Sequence, residues 1–339
     1  MSFESFPFVL GWELTLLCNL RCRHCGSSAG AVREHELTTD EAIGLCDQLP
    51  DLLVQEVDFT GGEPLLRKDW ETIAGRLIHH SIPVNVLTNG MIIDKEMIAR
   101  LQKAGIGGVG ISLDGMETAH NSTRNNTDSF RNVITALNLF EKNGIRYNVI
   151  TTVNRLNITD LDRMHELLKD IGTECWRLQP LLPMGRVRES GDLALSGNDI
   201  RALGSFVRRI TAKKEDKPKI ICSDGLDYVV PEERQWKGGS AGISTCGIMS
   251  DGRVKGCLSL PDEICEGTIR ERSLWDIWFD PRSFAYTRQF SPEQLGPNCT
   301  SCEKRSECLG GCSSSSYTGS GKFHNDPSCF FRANQRAGT

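Results

Sequence analysis

The chain has 339 residues, 14 of them cysteine, with 39% hydrophobic and 24% charged residues and a formal net charge of −5. That length suits one large domain plus a smaller one, and that composition is ordinary for a globular protein in water. A weakly acidic chain without a dense Lys/Arg block offers nucleic acid no electrostatic footprint, and no apolar run is long enough to span a bilayer.

The N-terminus carries Glu4 and no early Lys or Arg, so it does not read as a secretory signal and a cytoplasmic location is expected. Cytosolic thiols are kept reduced, which leaves metal as the reason for so many cysteines. Apolar, β-branched runs then fall at 8–16, 57–60, 84–88, 109–113, 147–153 and 176–182, and segments of helical period at 39–49, 69–79, 95–104, 130–142, 161–169 and 200–213. Such alternation predicts an α/β fold, a parallel sheet with helices outside it. Six units fall short of a closed eight-unit barrel, so an open, partial (β/α)6 barrel is expected, with ligands beyond the carboxyl ends of its strands.

The loop after the first run reads Cys18-Asn-Leu-Arg-Cys22-Arg-His-Cys25, a C-x3-C-x2-C array. Three thiolates there can hold three irons of a [4Fe–4S] cube and leave the fourth iron open. A zinc site completed by His24 is the alternative that the array alone leaves standing. Thr60-Gly61-Gly62-Glu63-Pro64 follows the second run, where paired glycines let backbone approach a ligand closely. Together these motifs resemble the radical S-adenosylmethionine (SAM) superfamily, of which C-x3-C-x2-C is the signature. The residue before the third cysteine, often aromatic in that superfamily, is His24 here. The resemblance implies that SAM chelates the open iron and that an electron from the cluster breaks a carbon–sulfur bond to give a 5′-deoxyadenosyl radical. It also implies that Gly61, Gly62 and Glu63 contact the SAM amino group.

Cys46, Cys175 and Cys222 are scattered, and the remaining eight cysteines lie between Cys246 and Cys329. This distribution predicts a catalytic domain, 1–217, and a cluster-carrying domain, 218–339, joined in a stretch rich in charge, Pro and Gly between Lys217-Pro218 and Gly238-Gly239-Ser240. Cys299, Cys302, Cys308 and Cys312 form a C-x2-C-x5-C-x3-C array followed by Cys329, and upstream Cys246 precedes a G-x4-C turn from Gly252 to Cys257. These seven cysteines resemble the SPASM domain of radical SAM enzymes, two zinc knuckles being the blander reading.

By that resemblance Cys299, Cys302, Cys308 and Cys329 hold an outer auxiliary [4Fe–4S] cluster, while Cys246, Cys257 and Cys312 hold an inner one. Cys265 and Cys222 are the candidates for its fourth ligand, with an open iron as the alternative. The resemblance further implies that Ser112 binds the SAM ribose and that Arg124, twelve positions on, binds its carboxylate through a paired, charge-assisted fork. An exposed loop arginine reads equally well at Arg124. Leu181 is expected to offer backbone to the adenine, whereas Asn89 and Asn154 receive no role. Cys46 and Cys175 are expected to be core thiols, and segment 269–278 a short amphipathic helix whose Trp275 and Trp278 pack.

The implied cofactors are SAM and three [4Fe–4S] clusters, with an electron donor such as flavodoxin or ferredoxin. Enzymes of this kind commonly modify peptides or proteins, so the expected function is oxidation of a peptide side chain to a crosslink, thioether or unsaturated bond. Rival readings are a small-molecule or tetrapyrrole-modifying enzyme and a sulfatase-maturing oxidase. In the latter group an aspartate base follows the second auxiliary cysteine, and Leu258 stands at that position. A pure electron-transfer protein would not need Gly61, Gly62, Glu63 and Arg124. Only 17 residues precede Cys18, so a leader-recognition domain is expected to be absent, with a separate recognition protein or a leaderless substrate in its place. No general base is assigned.

Overall fold

In a computed structural model, which describes residues 5–213, 217–223 and 239–335, each expected run becomes an element. The strands are β1 (Val9–Thr15), β2 (Glu56–Gly61), β3 (Val84–Thr88), β4 (Gly108–Ser112), β5 (Tyr147–Val153), β6 (Cys175–Pro180), β7 (Lys219–Cys222), β8 (Thr245–Ile248), β9 (Arg253–Lys255) and β10 (Gly267–Thr268). Seven helices accompany the first strands: α1 (Thr39–Cys46), α2 (Trp70–His79), α3 (Lys95–Lys103), α4 (Glu117–Arg124), α5 (Ser129–Asn143), α6 (Leu161–Ile171) and the single turn α7 (Val187–Ser190). Then come α8 (Gly197–Thr211), α9 (Leu274–Trp278), α10 (Ala285–Arg288), α11 (Arg305–Cys308), α12 (Ser313–Ser320) and α13 (Phe330–Gln335). No helix among the described residues is long and apolar enough to cross a membrane.

One sheet takes the order β10-β9-β8-β1-β2-β3-β4-β5-β6-β7, parallel from β8 through β7. The six expected units form its centre. Both edges were extended beyond expectation. Beyond residue 217, β7 adds to β6, and β8 pairs with β1, Leu10 opposite Cys246. The cysteine-rich part is therefore stitched into the same sheet, through strands of two to four residues that are too short to carry a period. Most of the expected boundary stretch, residues 224–238, lies outside the described residues.

Alternation along the strands divides the barrel's two faces. Leu10, Trp12, Leu14, Val57, Phe59, Val84 and Val86 are buried in one apolar core with Leu45, Ile73 and Leu77 of the helices. The opposite positions are mostly small or polar, Gly11 and Glu13 on β1, Asp58 on β2, Asn85 on β3, Asn148 on β5, Arg177 and Gln179 on β6, with Leu87 and Ile150 as apolar exceptions. A polar inner face gives the barrel room for a cofactor and a substrate, where an apolar one would pack shut. Thr38 caps α1 in a reciprocal box with Glu41, and Ser196 does the same for α8 with Asp199.

Segment 269–278 is helical only over α9, because its first residues form a turn from which Arg270 reaches Glu41 (2.6 Å). Trp278 is fully buried as expected, whereas Trp275 is 46% exposed. Cys46 lies in the core, and burial pushes its thiol up to about 12.

Candidate functional site

A cleft of ≈ 330 Å³ opens at the carboxyl ends of the parallel strands. Cys18, Cys22 and Cys25 line it, together with Gly61, Gly62, Ser112, Arg124 and Leu181. All the expected SAM contacts except Glu63 thus meet on one surface.

The cysteine loop is held from three sides. Gly30 pairs back onto β1, its amide donating to the Leu16 carbonyl (2.8 Å). The glycine turn clips it from β2: the amides of Gly62 and Glu63 donate to the carbonyls of Thr15 and Leu17, each at 2.8 Å. A Cβ on Gly62 would stand 2.3 Å from the Leu17 oxygen. The close approach expected toward a ligand is therefore spent first on the cysteine loop itself, which leaves the turn's carbonyls, and not these amides, for a bound group. From the segment after β6, Arg186 donates to the carbonyls of Cys22 (2.7 Å) and Ala29 (3.0 Å), while its amide donates to that of Cys25 (3.1 Å).

The three thiols meet donors. Leu20 and Ala29 amides lie 3.4 Å from the sulfurs of Cys18 and Cys25, Asn89 Nδ2 is 3.7 Å from Cys18, and Arg124 Nη1 is 3.9 Å from Cys22. Such donors suit sulfurs that become anionic. Burial raises the thiols of Cys18 and Cys22, so iron binding would release protons. No three His, Cys, Asp or Glu side chains among the described residues converge as ligands of a single ion would. A cubane binds each cysteine at a different corner and asks for no such convergence.

Beneath the loop lies a charged cluster the sequence did not disclose. Arg124 is the last residue of α4, only 8% exposed, and its Nη2 sits 2.6 Å from Asp114 Oδ2. The exposed-loop reading of Arg124 therefore fails. His24 Nε2 stands 3.1 Å from the same oxygen, and Asp114 Oδ1 accepts from the Thr152 amide (2.8 Å). Burial pushes the Asp114 carboxyl up, but Arg124 and His24 outweigh it and hold it well below the usual carboxylate range. Glu63 is turned away from the cleft and fully buried, accepting from Thr88 Oγ1 (3.0 Å) and the Asn89 amide (2.8 Å); burial outweighs these donors and moves it up to about 7. Asn89 thus gains a role, bridging Glu63 to Cys18 and to Asn19 (2.7 Å). Asn154 only closes a turn with Asn157.

In the C-terminal part, Cys299, Cys302, Cys308 and Cys329 line one small cavity with Gly310 and Gly311. Burial holds the thiols of Cys299 and Cys329 up at about 11. Four thiols around one hollow fit a fully ligated cubane. Cys246 is buried on β8, its thiol pushed up to about 12, and Cys257 follows β9. The Tyr286 hydroxyl is buried against the Gly256 backbone and feels both thiols, and Cys312 stands at the N-terminus of α12. Cys265 instead gives its thiol proton to the Gly267 carbonyl (3.2 Å), and Cys222 is buried in the core at the end of β7.

The cleft is also lined by Glu13, Arg177, Gln179 and Ser259, to which the sequence attached no role, and by Leu258. Leu258 is the position where a sulfatase-maturing oxidase would carry its base. It faces the cleft and has nothing to take a proton.

Residues 12–168 match the family model of the radical SAM superfamily, and residues 240–303 that of SPASM, an iron–sulfur cluster-binding domain. AdoMet-dependent heme synthase from Methanosarcina barkeri is 28% identical, over 99% of this chain and 100% of its own. Mycofactocin maturase MftC from Mycobacterium tuberculosis is 30% identical over 95% of this chain and 83% of its own. In fold, the chain resembles Streptococcus suis SuiB bound to precursor peptide SuiA, with a TM-score of 0.76 and 18% identity over 96% of this chain and 76% of that one.

Proposed function

We propose that this chain, which belongs to the radical SAM superfamily and carries a C-terminal SPASM iron–sulfur cluster-binding domain, oxidises a peptide side chain. The reading rests on one observation. Leu258 and Ser259, directly after the auxiliary-motif Cys257, line the same cleft as Cys18, Cys22 and Cys25. A substrate held there lies between the SAM site and the auxiliary cysteines.

Cys18, Cys22 and Cys25 would hold the cluster, and SAM bound beside it would supply radical chemistry able to remove a hydrogen atom from an unactivated carbon. The chain's own residues serve that chemistry by position. Gly61 and Gly62 offer carbonyls, Ser112 and Arg124 offer donors, and Leu87, Ile150 and Leu181 keep the reacting region apolar. Oxidation must then remove a second electron and a proton from the substrate, and Cys257 stands beside the wall where that electron can leave. The cofactor set in this reading is three cubanes, at Cys18/Cys22/Cys25, at Cys246/Cys257/Cys312, and at Cys299/Cys302/Cys308/Cys329.

The maturase relative, 30% identical, supports a peptide product line. A second reading, modification of a tetrapyrrole, is favoured by the full-length match to a heme synthase. Mass spectrometry after turnover with each substrate class separates them. Loss of two hydrogens from a peptide, with deuterium carried from substrate into 5′-deoxyadenosine, supports the proposal. A mass unchanged in ordinary water but raised by one in deuterium oxide, with the deuterium at one α-carbon, would mean epimerisation and would refute it.

A further inference from the structure

The charges facing the cleft are nearly all spoken for. Arg124 and His24 meet Asp114. Arg186 is spent on backbone carbonyls of the cysteine loop. Glu13, an acid in the cleft wall, is taken by Arg33 (3.1 and 3.2 Å) and by Ser250 Oγ (2.8 Å). Arg177 differs. Its side chain rises from the inner face of β6 into the cleft, half-buried, and no hydrogen bond or ion pair holds it among the described residues. Beside it Gln179 Nε2 donates to Thr152 Oγ1 (3.0 Å), and neither residue is hydrogen-bonded to Arg177.

A guanidinium that faces an open cleft with no protein partner is available to an anionic ligand. Its planar fork matches a carboxylate through two charge-assisted hydrogen bonds. The SAM carboxylate would have its own donor in Arg124, which meets Asp114 through Nη2 but keeps an unpartnered Nε and lies 3.9 Å from Cys22 through Nη1. Register sets Ser112, Ile150 and Arg177 side by side across β4, β5 and β6, so Arg177 borders the SAM site from the far side of an apolar residue.

We infer that Arg177 binds a carboxylate of the substrate and thereby aligns the reacting carbon with the SAM site. This deepens the peptide reading and rests on it: the carboxylate belongs to a peptide C-terminus or to an acidic side chain near the reacting residue.

The test uses the reconstituted, SAM-loaded holoenzyme and small probes followed by saturation-transfer NMR. The probes are N-acetylglycine for a C-terminal carboxylate, N-acetylglutamate α-amide for a side-chain carboxylate, propionate for a carboxylate without a peptide group, and N-acetylglycinamide as the neutral control. Wild type should bind one of the peptide carboxylates about tenfold more tightly than the neutral amide, and Arg177→Gln should erase that preference. Arg177→Lys should restore part of it, and both variants should keep wild-type iron content and SAM affinity. Whichever peptide carboxylate binds better identifies its source. If propionate binds as well as either and the preference still needs Arg177, the carboxylate assignment stands and the peptide class falls. Equal binding of carboxylate and amide, no binding of any carboxylate, an unaltered preference in Arg177→Gln, or loss of SAM from that variant would each overturn the inference.

Discussion

At Asp114 one buried carboxylate answers two cations, Arg124 at 2.6 Å and His24 at 3.1 Å, directly under the cysteine loop. Breaking a buried pair by removing one partner strands the other charge. Asp114→Asn should therefore lower stability by about 3 kcal/mol, and Asp114→Asn with Arg124→Met should recover most of that loss without recovering SAM cleavage. Thermal unfolding and 5′-deoxyadenosine release check the two halves separately. Glu63 gives a pH signature. Its carboxyl is raised by burial from 4.5 to about 7, so the native state holds its proton where the unfolded chain does not. This contribution is fully present below the unfolded value and is lost as pH rises to about 7, a fall of roughly 3 kcal/mol for the fully buried group. The cluster-free chain should lose stability over that window, and Glu63→Gln should flatten the slope. An equal slope in both would mean that another group carries it.

Among the elements, the segment after β6 acts as a clasp. Gly185 lies at φ +54°, and a Cβ there would stand 2.3 Å from the carbonyl oxygens of both Cys25 and Gly26. Gly185→Ala should displace the cysteine loop at a cost of about 1–3 kcal/mol. SAM cleavage should fall while the signals of the auxiliary clusters persist, as read by electron paramagnetic resonance of the reduced protein. The strands, their helices and the cysteine spacings were legible in the sequence because each is written within a few residues. Helix α4 was not, since the face it buries, Ala119, His120, Thr123 and Arg124, is polar apart from one alanine and so carries no apolar period. The burial of Arg124 depends on Asp114, and the clasp on Arg186, a partner 164 positions from Cys22. Arg177 was hidden for another reason: a lone polar residue in a strand names a face and says nothing of what that face encloses.

Across the whole molecule, one sheet joins the catalytic strands to the cysteine-rich part, and an ion network reinforces the seam. Arg33 bridges Glu13, 5% exposed on β1, to Asp262 (3.1 Å), and Asp262 in turn meets Arg253 (3.2 Å) and Lys255 (3.4 Å) around β9. Removing Arg33 takes from Glu13 its cation at that seam. Arg33→Met should lower the melting temperature by several degrees and loosen Leu258 and Ser259 from the cleft, detected as faster hydrogen exchange at 250–262. An unchanged exchange rate there would show that strand pairing alone holds the two parts together.

All of these readings presuppose that the cleft beside the cysteine loop is where SAM is cleaved. The direct test is anaerobic reconstitution of the Cys18→Ala/Cys22→Ala/Cys25→Ala variant, with iron and 5′-deoxyadenosine measured on the same reduced sample. The variant should keep about two-thirds of the wild-type iron, held by the auxiliary cysteines, and release no 5′-deoxyadenosine. Cleavage that survives the triple substitution would contradict the account.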